Sequence, residues 1–164
     1  MKAIEAQNDV EHLTLEVRGR KKIVGKSTQA VGAGHRIIRL YQDRSGAAAY
    51  VLSASGARKL LERAKTEIAL ADALICTSYD LKSFQVEPAC AVQLDRTSHY
   101  GITSTLQTAS QIDGGKSGSK NLSGVAFRAR RIGAQFQMAF RILSCLGVAE
   151  RREIELRRQD FPAA

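Results

Sequence analysis

The 164 residues suffice for one domain with an appendage, 44% of them are apolar, and the net charge is +9. No stretch approaches the roughly 18 apolar residues of a membrane span, and the opening "MKAIEAQNDVEHL" lacks the apolar core of a secretion signal. Cys76, Cys90 and Cys145, odd in number and far apart, read as reduced core thiols rather than a disulfide frame or a metal site.

These exclusions leave a cytoplasmic chain, one that surface contact can still bring to the inner membrane. Aromatics make up 5% of the residues and tryptophan is absent, so aliphatic side chains and alanine must fill the core. The charge is uneven. Residues 1–113 carry 15 basic against 12 acidic side chains, a net +3, whereas residues 114–164 carry 10 against 4, a net +6. Such a surplus attracts phosphates in general, whether of a nucleotide, a nucleic acid or an anionic lipid.

In chain order, "HLTLEV" (12–17) alternates and predicts a strand. "RGRKK" is a turn at Gly19, and "IVGK" is a short returning strand, together a hairpin with a basic tip. "VGAG" is a loop, "HRIIRLY" a strand that does not alternate cleanly, and "QDRSG" a turn. Ala47–Leu52 predicts a strand whose small residues let a backbone or a ligand come close. Ser53 or Ser55 can cap the next helix by accepting an orphan N–H, with Gly56 and Ala57 setting its first turn tightly on the sheet. Leu60 and Leu61, with Ala57 and Ala64, form its buried face; Arg58, Lys59, Glu62, Arg63 and Lys65 form the wet one.

A second helix is expected over Leu70–Thr77, and "FQVEPACAVQL" reads as strands broken at Pro88. Gln111–Gly124 is polar and glycine-rich. Val125–Leu146 has helical period, with Ile132, Phe136, Ala139, Phe140, Leu143 and Leu146 on one face. The final "ERREIELRRQDFPAA" adds a short strand or helix. The domain reading is an α/β domain over 1–113, a flexible linker over 114–123 and a basic amphipathic helical tail over 124–164.

Several motifs fall short of the chemistry they suggest. "SQIDGGKS" has Ser110 where a phosphate-binding P-loop needs glycine, and reads as linker. Gly32 and Gly34 lack the third glycine of a dinucleotide fingerprint, because position 37 is Ile. His12, His35 and His99 have no zinc-ligand spacing. Ser55 is no nucleophile elbow, since position 53 is Ser rather than Gly. Arg18, Arg20, Lys21 and Lys22 could clamp a diphosphate, bind nucleic acid or simply solvate a turn. Asp72 stands in the apolar run "EIALADALI", where an unpartnered carboxylate is costly to bury. It must cap, pair, or face a cleft.

The segments "LEVRGRKKIVGK", "GHRIIRLYQDRSGAAAYVLSASGARKLLERAKTEIALADALI" and "VEPACAVQLDRTSHYGITST" resemble the C-terminal half of glycosyltransferase family 25. These are bacterial enzymes that extend lipopolysaccharide sugars, with relatives that glycosylate collagen. The family pattern falls here on Gly46, Tyr50, Ser53, Gly56, Ala57, Leu60, Leu61, Ile68, Asp72, Pro88 and Gln93, and the likeness covers about residues 12–105. The proline of the family's Pro-x-Asp is Leu70, and the family's N-terminal half, with its acidic Glu-Asp-Asp motif, has no counterpart. That makes the chain resemble a truncated member or one piece of a split enzyme.

The resemblance implies an α/β fold with a partial nucleotide-sugar glycosyltransferase sheet, flanking helices and a basic C-terminal helix. It implies hexose transfer from a sugar nucleotide, such as a UDP-hexose, to a glycan acceptor in lipopolysaccharide or surface-glycan synthesis. Asp72 would take the acceptor proton or orient the acceptor, while Gly46, Tyr50 and Gln93 would bind substrate. A divalent metal such as Mn is implied by the family, yet Asp43, Asp80 and Asp95 are isolated acids. The tail could lie on an anionic membrane surface or pack on the domain or on a second copy, and a completing partner chain is also conceivable. The competing expectation is a non-enzymatic basic module for nucleic acid or a protein partner.

Overall fold

A computed structural model describes residues 9–67, 69–103, 140 and 143–161. The linker 114–123, most of the Val125–Leu146 helix and Ile68 of the family pattern lie outside the described residues.

The fold is mixed α/β. A six-stranded sheet has the order β5-β1-β6-β4-β3-β8, and a two-stranded sheet pairs β2 with β7. In chain order the strands are β1 (His12–Thr14), β2 (Glu16–Val17), β3 (Lys22–Gly32), β4 (His35–Gln42), β5 (Tyr50–Leu52), β6 (Ser83–Glu87), β7 (Ala91–Val92) and β8 (Ala149–Arg152). Helices α1 (Ala54–Ala64) and α2 (Ala71–Thr77) link β5 to β6, and 3₁₀ turns cover Leu94–Tyr100 and Arg158–Asp160. In the large sheet β1 and β6 run parallel and the other neighbours antiparallel.

"HLTLEV" extends as expected but splits at Leu15. Its N–H donates to Ala49 O, and its carbonyl accepts from the N–H groups of Cys90 and Ala91, so the chain passes from one sheet to the other. The hairpin expected across "RGRKK" does not form. β3 pairs with β4 and β8 instead, and runs on through Val31 and Gly32 to a turn at Ala33–Gly34. Lys26–Ala30 are exposed, so this half of β3 is held by its backbone ladder and carries no apolar alternation to read. In β4, Ile37 and Ile38 are both buried because neighbouring strand residues face opposite sides and both sides are covered. Ile37 packs with Leu13 and Val86 on one face, Ile38 with Val17, Val24, Leu40, Ala89 and Ile154 on the other.

The strand expected from Ala47 starts only at Tyr50; Ala47 and Ala48 are exposed loop. Helix α1 begins where its cap predicts: Ser53 Oγ accepts from the Gly56 N–H at 3.1 Å. Gly56 lies against the Glu11 backbone carbonyl, with no room for a Cβ. The buried stripe is narrow, Gly56 and Leu60, so Leu61, expected inside, turns away and is 66% exposed. Leu60 joins Leu74, Ile75 and Leu81 in a third core cluster under Tyr50 and Leu52. Helix α2 matches the expected span to one residue, and Pro88 ends β6 through a cis peptide bond after Glu87.

Residues placed by sequence in the tail belong to the sheet. β8 pairs with β3 in the register Lys22↔Arg152 to Gly25↔Ala149, and Ile154 enters the core. The cysteines are free, but Cys90 is exposed rather than in the core, and Cys76 and Cys145 are only partly buried. No described helix is long and apolar enough to cross a membrane.

Candidate functional site

The loop between β4 and β5 is shaped by carboxylates. Asp72, in the first turn of α2, accepts the Gly46 N–H on Oδ1 at 2.7 Å. Buried Glu16 accepts the Ala48 N–H on Oε1 at 3.1 Å. Asp43 accepts from both the N–H and the hydroxyl of Ser45. Gly46 has φ +107°, and a Cβ there would overlap the Glu16 carboxylate. The loop thus requires glycine both for its left-handed backbone and for the space above Glu16.

Asp72 is not sealed in the interior: its side chain is 43% exposed, with Oδ2 at 3.9 Å from Arg18 Nη1. The N-cap residue Leu70 supplies no side-chain cap, so Asp72 is the acid near the orphan N–H groups of α2. The structure therefore joins two of the expected site residues, Asp72 and Gly46, by a direct hydrogen bond. The other two stand apart from that bond. Tyr50 packs on the Leu60–Leu74–Ile75–Leu81 cluster, its ring centroid 5.8 Å from that of His12. Gln93 is the residue before the Leu94–Tyr100 turn, with no side-chain cap bond, directly after β7, whose Val92 pairs with Val17.

Beside this clamp lies a cleft of about 770 Å³. Its walls include Arg20, Lys21, Arg44 and Arg151, with Tyr41 and Tyr79. Arg20, Lys21 and Arg151 are exposed and have no ion-pair partner among the described residues. Arg44 is buried, its guanidinium 5.5 Å from the Tyr79 ring centroid, with Nη1 donating to Ser78 O. Asp72, Gly46, Tyr50 and Gln93 are not among the described residues of the wall. Asp72 meets it through Cys76, a wall residue whose Sγ is 3.8 Å from Asp72 Oδ1. Burial, with the Asp72 charge adding to it, pushes the Cys76 thiol up to about 11, which keeps it protonated.

Of the four basic residues at the expected hairpin tip, only Arg20 and Lys21 are exposed. Arg18 turns toward Asp72. Lys22 is buried, with Nζ donating to Gln85 Oε1 at 2.6 Å. Burial brings Lys22 down to about 8 against the opposing pull of Asp43 and Glu16. Arg151 carries no sequence signal for this site, because its place depends on the β3–β8 pairing. Tyr41 carried a strand signal only.

The donor set does not fit the divalent ion that the resemblance implies. Among the charged residues of the wall, cations outnumber carboxylates, and both carboxylates are engaged: Asp43 by Ser45, and Glu150 by Arg152 Nε at 2.7 Å. Among the described residues no three His, Cys, Asp or Glu side chains converge to hold a metal. Hard divalent cations want several oxygen ligands at once.

Compared with family models, curated proteins and solved structures, the chain matches none.

Proposed function

We propose that the chain belongs to a hexosyltransferase of the lipopolysaccharide or surface-glycan class, acting on a sugar nucleotide and a saccharide acceptor. The observation that supports this reading is the half-exposed Asp72 carboxylate, fixed by the Gly46 N–H at the border of a cationic cleft. Transfer forms a bond between the acceptor oxygen and the anomeric carbon, and breaks the bond from that carbon to the diphosphate oxygen. The acceptor proton goes to a base. Asp72 Oδ1 is committed to Gly46, while Oδ2 lies beyond hydrogen-bond length from Arg18 and faces no other donor among the described residues. Oδ2 is thus the oxygen placed to receive or orient the acceptor hydroxyl.

Asp72→Asn keeps an oxygen for the Gly46 N–H and removes the base. With a UDP-hexose and a glycan acceptor, transfer should fall by about 10²-fold or more at unchanged melting temperature. Turnover equal to wild type refutes the role. No sugar-nucleotide turnover by the chain, alone or with the N-terminal half of a family 25 enzyme, refutes the function.

A second reading is favoured by the exposed Arg20, Lys21 and Arg151: a basic module that binds nucleic acid. It predicts affinity falling steeply with salt and no sugar-nucleotide turnover.

A further inference from the structure

We propose that the cleft binds a nucleoside diphosphate through this chain's own cations, with no divalent ion bridging the phosphates. The inference rests on the cleft already described and specifies how that site would hold its ligand.

Four cations face one opening, while its two carboxylates are engaged locally. Arg20 and Lys21 come from the segment between β2 and β3, and Arg151 from β8, where it stands opposite Ile23 in the strand pair. The sheet thus brings cations 130 positions apart in sequence to one cleft. Guanidinium groups match phosphate oxygens in pairs, and lysine adds a mobile point charge. Exposed cations without carboxylate partners give up little on meeting an anion. Tyr41 and Tyr79 also line the cleft, and the buried Arg44 is fixed by its contacts to Ser78 O and the Tyr79 ring. Aromatic rings beside cations suit a base joined to its phosphates. The volume of about 770 Å³ lies within the usual range for a small-molecule site.

The test is calorimetry on the full chain with UDP, inorganic pyrophosphate and uridine, each in EDTA and in excess Mn. UDP should bind in EDTA, pyrophosphate more weakly, and uridine not measurably; Mn should change the UDP affinity by less than about 2-fold. Arg20→Gln with Arg151→Gln should weaken UDP about 10-fold or more, whereas Arg58→Gln, an exposed cation of α1, should not. Unchanged melting temperature shows that the variants fold.

UDP binding that requires Mn overturns the proposal, as does no UDP binding in EDTA, or an oligonucleotide that outcompetes UDP and loses affinity with the same substitutions. The two readings fail separately. UDP binding in EDTA without hexosyl transfer sinks the transferase and leaves the cleft. Transfer with strict Mn dependence does the opposite.

Discussion

Gly46 is the residue on which the loop geometry turns. Its N–H meets Asp72, and the volume a side chain would need belongs to Glu16. Gly46→Ala should cost about 2 kcal/mol, from the left-handed backbone and the overlap together, read as a shift in urea midpoint. A loss under 0.5 kcal/mol would mean that the loop is not held as described. His35 gives a contrasting case. Arg157 Nη2, which can only donate, lies 3.3 Å from His35 Nε2, so Nε2 accepts and the proton sits on Nδ1. Nδ1–H then donates to Pro88 O at 2.9 Å. The Cys90 thiol, 3.9 Å from Nδ1, meets a hydrogen rather than a lone pair, so the ring cannot take its proton, and partial desolvation raises its pKa. This Cys–His proximity is structural and does not activate the thiol.

At the level of elements, α1 docks by close approach. Gly→Ala inside a helix ordinarily stabilises by up to about 1 kcal/mol. At Gly56 the sign should reverse, because the Glu11 carbonyl occupies the space a methyl would need. Chemical denaturation of Gly56→Ala checks it: a more stable variant would mean that the helix stands off the sheet. This junction was legible in the sequence because its signals are local: a capping serine, a glycine three positions on, and apolar residues at helical spacing. Helix α2 and the break at Pro88 were legible for the same reason. What stayed hidden was pairing over distance. The exposed run Lys26–Ala30 has no apolar period, so neither the length of β3 nor its pairing with β4 and β8 follows from the sequence pattern. Without that pairing, Arg151 cannot be placed at the cleft. Asp72 and Gly46 are each marked by a local signal, yet the hydrogen bond between them spans 26 residues and follows from no spacing rule. Tyr50, a substrate-binding residue only by the family resemblance, packs its ring on the helix-side core, a contact that no local pattern announces.

For the whole molecule, the most telling feature is the polar content of the sheet's interior. His12, Thr14 and Ser83 are fully buried on β1 and β6, and His12 and Ser83 are register partners. Burial, with Arg44 and Lys22 nearby, pushes His12 down to about 4. The unfolded chain takes up this proton near pH 6.5, the folded one only near 4. His12 therefore contributes stability that is fully present above pH 6.5 and lost as pH falls toward 4, on the order of 1–3 kcal/mol. His12→Leu should flatten that part of a stability–pH curve measured between pH 4 and 7; an unaltered slope would mean that His12 gains a proton in the native state. Glu87 presents the opposite problem. Burial would raise its carboxyl, but hydrogen bonds from Arg152, the Glu155 N–H and Arg36 outweigh it and hold the group ionised. Two of those three donors, Arg152 and Glu155, arrive with β8 and the residues just after it. A nascent chain still short of residue 152 on the ribosome holds β6 with its acid and Arg36 as one partner, and must wait for the second arginine. Translation to that point is what closes the outer seam, and a premature stop before it would leave Glu87 with one of its two arginines and the β3 edge unpaired, the kind of species that chaperones retain and proteases clear.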